Sequence, residues 1–180
     1  LMNGMSVEQL INSLKSPKSV TWVFDEVIER YTERLYWHIR RMVLNHDDAN
    51  DLLQNTFIKA WTGIDGFLGN SKVLTWLYRI ATNETITFLN RTNTVVIEEP
   101  ETCATQLEAD TYFDGDSLQT RLQEAIQTLP PKQRMVFNMK YYDDMKYEEI
   151  SSILGTSIGA LKASYHLAVK KISSFFDDDI

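Results

Sequence analysis

The chain has 180 residues, of which 43% are hydrophobic, 24% charged and 11% aromatic, and its 18 basic and 25 acidic side chains leave a net charge of −7. That composition excludes fibrous and disordered classes. No apolar run approaches the ~18 residues of a membrane span, and one cysteine, Cys103, can build neither a disulfide framework nor a structural zinc site. The opening LMNGMSVEQL has no basic segment followed by an apolar one, so no secretory leader is expected and a cytoplasmic protein is the default.

In chain order, Phe24, Val27, Ile28, Tyr31, Leu35, Ile39 and Met42 recur at steps of three and four, the mark of an amphipathic helix. A second helix is predicted from the Asp47 and Asp48 pair, whose charges suit a helix N-terminus, to Trp61. A glycine-containing loop follows over 63–70. Ser71 is the expected N-cap of a third helix over 72–90, with Val73, Leu77, Ile80 and Ala81 facing a core. Residues 96–116 hold seven acids and no basic residue, with Pro100, Gly115 and little periodicity, and read as a linker. Residues 1–95 carry ten basic and ten acidic side chains and residues 117–180 eight of each, so the whole excess of −7 sits in the linker. Beyond it, Leu118, Leu122, Ala125, Ile126 and Leu129 make one helical stripe, ended by Pro130 and Pro131. A helix through Met135, Val136, Met139 and Lys140 comes next, then two helices, over 146–154 and 157–175, joined at Gly155. A tight glycine turn with a longer, basic second helix is the helix-turn-helix pattern. The expected fold is all-α: an N-terminal extension over 1–20, a helical bundle over 21–95, an acidic linker over 96–116, a helix-turn-helix domain over 117–176 and an acidic tail over 177–180.

Three stripes carry the candidate chemistry. On the last helix, Leu161, Tyr165, Ala168 and Ile172 pack inward, which turns Gly159, Lys162, Ala163, His166 and Lys170 outward. The face is small near its start, beginning at Ser157, where close approach to a major groove is needed, and carries cations for phosphates or guanine edges. Read plainly, it is a solvated basic face. On the third helix, Lys72, Trp76, Arg79 and Asn83 share a line. Rings stack on unpaired bases while cations neutralise phosphates, and the Phe67 to Asn70 loop has room to pocket an extruded base. The alternatives are a core Trp76 and a plain connector. The second helix sets Asp51, Gln54, Asn55 and Ile58 opposite Ala49, Leu53, Thr56, Phe57 and Ala60; being poor in lysine, its polar stripe suits a protein partner better than DNA. Enzymatic readings find no support: His38, His46 and His166 are isolated from one another, Asp47, Asp48 and Asp51 lack a glycine-turned cation loop, and no phosphate-binding glycine loop or nucleophile elbow is present. No cofactor and no metal are expected.

Four runs in register carry a resemblance. DANDLLQNTFIKAW at 48–61 resembles the DAEDLxQExF segment of extracytoplasmic-function (ECF) sigma factors of the sigma-70 family, and TWLYRIATN at 75–83 their TWLYRIAxN segment. LPPKQRMVF at 129–137 is similar to the opening of their region four, and EISSILGTSIGALKA at 149–163 to its helix-turn-helix. The resemblance spans about 21–172. It implies a protein that binds the clamp helices and flap of core RNA polymerase and directs it to promoter DNA, that is not itself an enzyme, and that is paired with an anti-sigma factor. It places Asp48, Asp51, Gln54, Asn55 and Ile58 on the polymerase-binding helix, with Phe57 a core prop. Phe67, Asn70, Lys72, Trp76, Arg79 and Asn83 fall where the family opens the minus-ten element, and Ser157, Gly159, Lys162, Ala163, His166 and Lys170 where it reads the minus-thirty-five duplex. The linker falls where the family threads a basic channel near the RNA exit path. Asn50 and Asn55 stand where glutamates are usual, Thr82 where Arg or Lys is common, Thr87 where Asp is common, and Ala163, Ser164 and Leu167 in an otherwise arginine-richer recognition helix, which implies weak binding to free DNA. The alternative function is a stand-alone helix-turn-helix regulator that acts without polymerase.

Overall fold

The structure is a computed structural model, and it describes residues 17–43, 45–64, 67, 72–95 and 117–177. Among these, seven helices and no strands occur: α1 Pro17–Arg40, α2 His46–Gly63, α3 Val73–Val95, α4 Ser117–Gln127, α5 Pro131–Tyr141, α6 Tyr147–Leu154 and α7 Ile158–Asp177. The all-helical expectation therefore holds, with shifted ends. Helix α1 starts at Pro17, since proline is tolerated in a first turn. Helix α3 runs five residues past Asn90, and α7 takes in Asp177. The Ser71 cap, the 96–116 linker, the N-terminal sixteen residues and the end of the tail lie outside the described residues.

The first three helices pack on one another. Val27, Leu35, Ile39 and Met42 of the α1 stripe are buried against Ala49, Leu53 and Ala60 of α2 and Val73, Leu77 and Ala81 of α3. The N-terminus of α2 is closed by Asn45, whose side-chain oxygen accepts from the backbone N–H of Asp48 at 2.9 Å, satisfying one of the donors a helix start leaves open. A Lys59–Glu84 ion pair joins α2 to α3.

In the second half, α4, α5 and α6 all lie against α7. Ala125, Ile126, Leu129, Phe137, Ala168 and Ile172 form a small core of their own. Gly155 ends α6 in the left-handed region (φ 64°, ψ 25°) and donates to the Ser151 carbonyl; no atom crowds the space a Cβ would take, so the backbone angle alone calls for glycine. The other core is continuous across the two halves: Met135, Val136, Met139, Met145, Ile150, Ile153 and Leu161 join the cluster built by α1, α2 and α3. Helix α6 lies along α3, and the α5–α6 turn meets the end of α1.

Candidate nucleic-acid interface

Helix α7 is anchored by Leu161, Ala168 and Ile172, all buried, with Tyr165 half-buried at the seam. That one-sided burial rotates Gly159, Lys162, Ala163, His166 and Lys170 into solvent. Ser157 is exposed and works as the helix cap, its hydroxyl accepting from the Ala160 N–H at 3.3 Å. The Lys162 ammonium lies 5.8 Å and the Lys140 ammonium 5.3 Å from the centre of the Tyr147 ring, so an aromatic face on α6 holds two cations at the mouth of the helix-turn-helix. Tyr165 is held protonated above the usual phenol range by burial first, then by the neighbouring Tyr147 and Tyr141. Among the described residues no three His, Cys, Asp or Glu side chains gather as a metal-sized cluster.

The α3 line comes out differently along its length. Lys72 and Asn83 are exposed, whereas Trp76 and Arg79 are half-buried. The Trp76 ring lies 5.0 Å from that of Phe67 at 41° and rests against the core, so it holds Phe67 while staying partly exposed. Of the expected loop pocket only Phe67 is among the described residues; Asn70 lies outside them. Arg79 donates to the backbone carbonyl of Ser152 at 2.9 Å and to its hydroxyl at 3.0 Å. On α2, Asp51, Gln54, Asn55 and Ile58 are exposed, with Asp48 half-buried beside them. Burial, then the charges of Asp51 and Asp47, raise the Asp48 carboxyl above its ordinary value. Trp61 and Trp22 are also exposed on the α1–α2 side, Trp61 edge-on to Phe24 at 5.0 Å, an aromatic flank to the stripe that periodicity assigned to no role.

Sequence reasoning treated His38 as an isolated residue. It is fully buried, and both ring nitrogens are engaged: Nδ1 with the Asp143 carboxylate at 3.0 Å and Nε2 with the Thr82 hydroxyl at 3.0 Å. A carboxylate only accepts, so Nδ1 is the donor. Tyr78, one position before Arg79, is likewise buried, its ring edge-on to His38 at 4.8 Å. Spacing could not have revealed this, because the partner carboxylate stands 105 residues away.

A helical bundle bearing an exposed polar stripe, followed by a helix-turn-helix with an exposed basic face, is the architecture of an all-helical DNA-binding protein. Residues 27–94 match the family Sigma-70 region 2 and residues 119–172 the family Sigma-70, region 4. The chain is 32% identical over 174 residues to the ECF RNA polymerase sigma factor SigW of Bacillus subtilis (strain 168), covering 90% of this chain and 92% of that one. It is 28% identical over 166 residues to the ECF RNA polymerase sigma-E factor of Escherichia coli (strain K12), covering 84% and 85%. Two solved structures share the fold: CnrH in complex with the cytosolic domain of CnrY (TM-score 0.70, 20% identity, 97% of this chain and 96% of that one) and the sigma factor RpoE in complex with the anti-sigma factor NepR from Bartonella quintana (TM-score 0.68, 22% identity, 87% and 98%). The chain belongs to the ECF RNA polymerase sigma factors of the sigma-70 family. Such proteins are regulatory DNA-binding subunits in transcription initiation rather than enzymes. No helix among the described residues is long and apolar enough to cross a membrane.

Proposed function

We propose that this protein is a promoter-specificity subunit that performs no chemistry of its own. The α2 stripe of Asp51, Gln54, Asn55 and Ile58 docks on core RNA polymerase, and α7 positions the complex on the minus-thirty-five duplex through Lys162, Ala163 and His166, with Lys170 on phosphate. The α3 line, with the Phe67 to Asn70 loop, then holds separated minus-ten bases. Unstacking a base costs a few kcal/mol, and stacking on an aromatic side chain returns about 1–3 kcal/mol per base, so the reaction needs the duplex anchor as well as the trap. The observation that carries the reading is the one-sided burial of α7, which leaves a small, cationic face exposed from Gly159 to Lys170. A cytoplasmic site of action and a sequestering anti-sigma partner follow from the same reading, the latter supported by the complex in which RpoE was solved.

The test is run-off transcription by core polymerase on a randomised promoter library with and without the protein, mapping start sites. New, protein-dependent starts sharing upstream sequence at two spaced positions are expected. Unchanged initiation, combined with tight gel-shift binding of DNA in the absence of polymerase, overturns the reading in favour of a stand-alone regulator.

A further inference from the structure

The contact between the two halves has three parts that the proposed function leaves unused. The first is ionic: the Asp143 carboxylate, in the α5–α6 turn, takes one oxygen to His38 Nδ1 at 3.0 Å and the other to the Arg41 guanidinium at 2.9 Å. The His38 side chain is fully buried and that of Asp143 is 6% exposed, so this pair is shielded from water, while the Arg41 side chain, 20% exposed, closes the cluster at the surface. The turn is held in shape by Asp144 in the left-handed region (φ 50°), a conformation aspartate tolerates better than most residues. The Arg41 guanidinium also covers the Tyr142 ring at 4.4 Å.

The second part is Arg79. Ser152 lies two residues before the end of α6, so its carbonyl is among those a helix end leaves without an internal partner, and it carries the partial negative charge of that terminus. Arg79 caps it. A helix C-terminus thus supplies to a proposed DNA-contacting cation what a phosphate oxygen otherwise would. The third part is the edge of the contact. Beside the ion cluster lie a groove of about 350 Å³ between Met42, Ile86, Leu89, Pro131 and Met135 and a polar cavity of about 90 Å³ between Arg34, Tyr78, Asp143 and Glu149. Both clefts open to solvent, so little packing is lost there if the halves part, and the methionines along the seam, Met42, Met135, Met139 and Met145, are adaptable enough to suit a second environment.

We propose that this closed arrangement is an autoinhibited resting state, latched by Asp143 on His38 and Arg41, in which the carbonyl end of α6 occupies Arg79 and withholds it from minus-ten DNA while the α7 face stays open. The proposal rests on the reading of the α3 line as a DNA surface. Polymerase binding must then release the latch, and the apparent affinity for core polymerase is reduced by the small fraction of open protein.

The experiment places dyes on Glu29→Cys and Ser173→Cys, both exposed positions away from the latch, in a Cys103→Ser background of the full chain, and measures energy transfer and core-polymerase binding with and without Asp143→Ala. The latch predicts lower transfer in Asp143→Ala and tighter core binding, on the order of a hundredfold, the scale of two lost charge-assisted hydrogen bonds at about tenfold each. A second variant, Arg41→Cys with Tyr142→Cys joined by a cleavable thiol tether, must lose polymerase-dependent initiation and regain it on cleavage. Unchanged transfer and affinity in Asp143→Ala, or full initiation by the tethered protein, overturns the latch. Failure of the parent protein to bind core polymerase overturns the proposed function instead, and the energy-transfer comparison still reports on the latch.

Discussion

At the scale of single residues, Tyr78 and Gly159 show burial and openness working in opposite directions. Burial, then the Asp143 charge, pushes the Tyr78 phenol far above its ordinary value, against the pull of Arg34 and Arg41. Because the folded value is raised, the unfolded chain loses this proton first, near pH 10. The stability tied to Tyr78 is therefore present below about pH 10 and drains as pH rises above it. Tyr78→Phe is expected to flatten that alkaline limb in urea titrations at pH 8 to 11, while changing neutral stability by about 1 kcal/mol, the net scale of one hydroxyl's hydrogen bond. An unaltered alkaline limb would show that other tyrosines carry it. Gly159 poses the converse case. A Cβ there meets nothing within 4 Å, so Gly159→Ala is expected to stabilise α7 by roughly 0.5–1 kcal/mol. If the duplex approaches this face closely, the same change weakens minus-thirty-five binding, and melting together with binding to a promoter fragment by the reconstituted holoenzyme separates the two effects.

At the scale of elements, the stripes were legible in sequence wherever a helix packs on its chain neighbours. The α1 positions Phe24, Val27, Leu35 and Ile39 and the α7 positions Leu161, Ala168 and Ile172 are buried as their periods require, with Ile28 and Tyr31 half-buried at the edge of the stripe, because neighbouring helices of the same half cover them. Tyr78 and Thr82 escaped the same reading. Tyr78 lies beside Asp143 and Met145 of the second half and Thr82 is engaged by His38 of α1, contacts that no local period encodes. For the candidate site, the exposed α2 and α7 stripes could be read in advance, while the engagement of Arg79 by Ser152 could not, since it depends on a contact 73 residues away. The helix-turn-helix itself rests on local geometry. Glu149 accepts from the Lys146 N–H at 3.0 Å to start α6, and Gly155 at φ 64° ends it. Gly155→Ala forces a Cβ into the left-handed region and is expected to cost about 1 kcal/mol, read as a lower chemical midpoint with unchanged slope. Gly155→Asn should cost less, because asparagine tolerates that region; equal losses would point to something other than the backbone angle.

At the scale of the whole molecule, charge is arranged by segment. Both helical halves are neutral and the seven acids of 96–116 make up the net −7. Like charge keeps such a segment off DNA, which leaves a basic protein surface as its natural neighbour, and the expectation for this family is a basic channel of the polymerase. Fully extended, the 21 residues reach about 70 Å at ~3.3 Å each, ample to follow such a channel while the two halves sit on separate promoter elements. The prediction is made on charge alone. Glu98→Gln, Glu99→Gln and Glu101→Gln together remove three of the seven negative charges without shortening the chain. Core-polymerase affinity should fall at low salt and converge with that of the parent protein as salt is raised, because exposed charges more than ~10 Å apart are screened at 0.1 M. Promoter escape should change in the same preparations. Identical affinity at every salt concentration, with identical escape, would reduce the acidity to an aid to solubility and leave the two halves to carry polymerase binding by themselves.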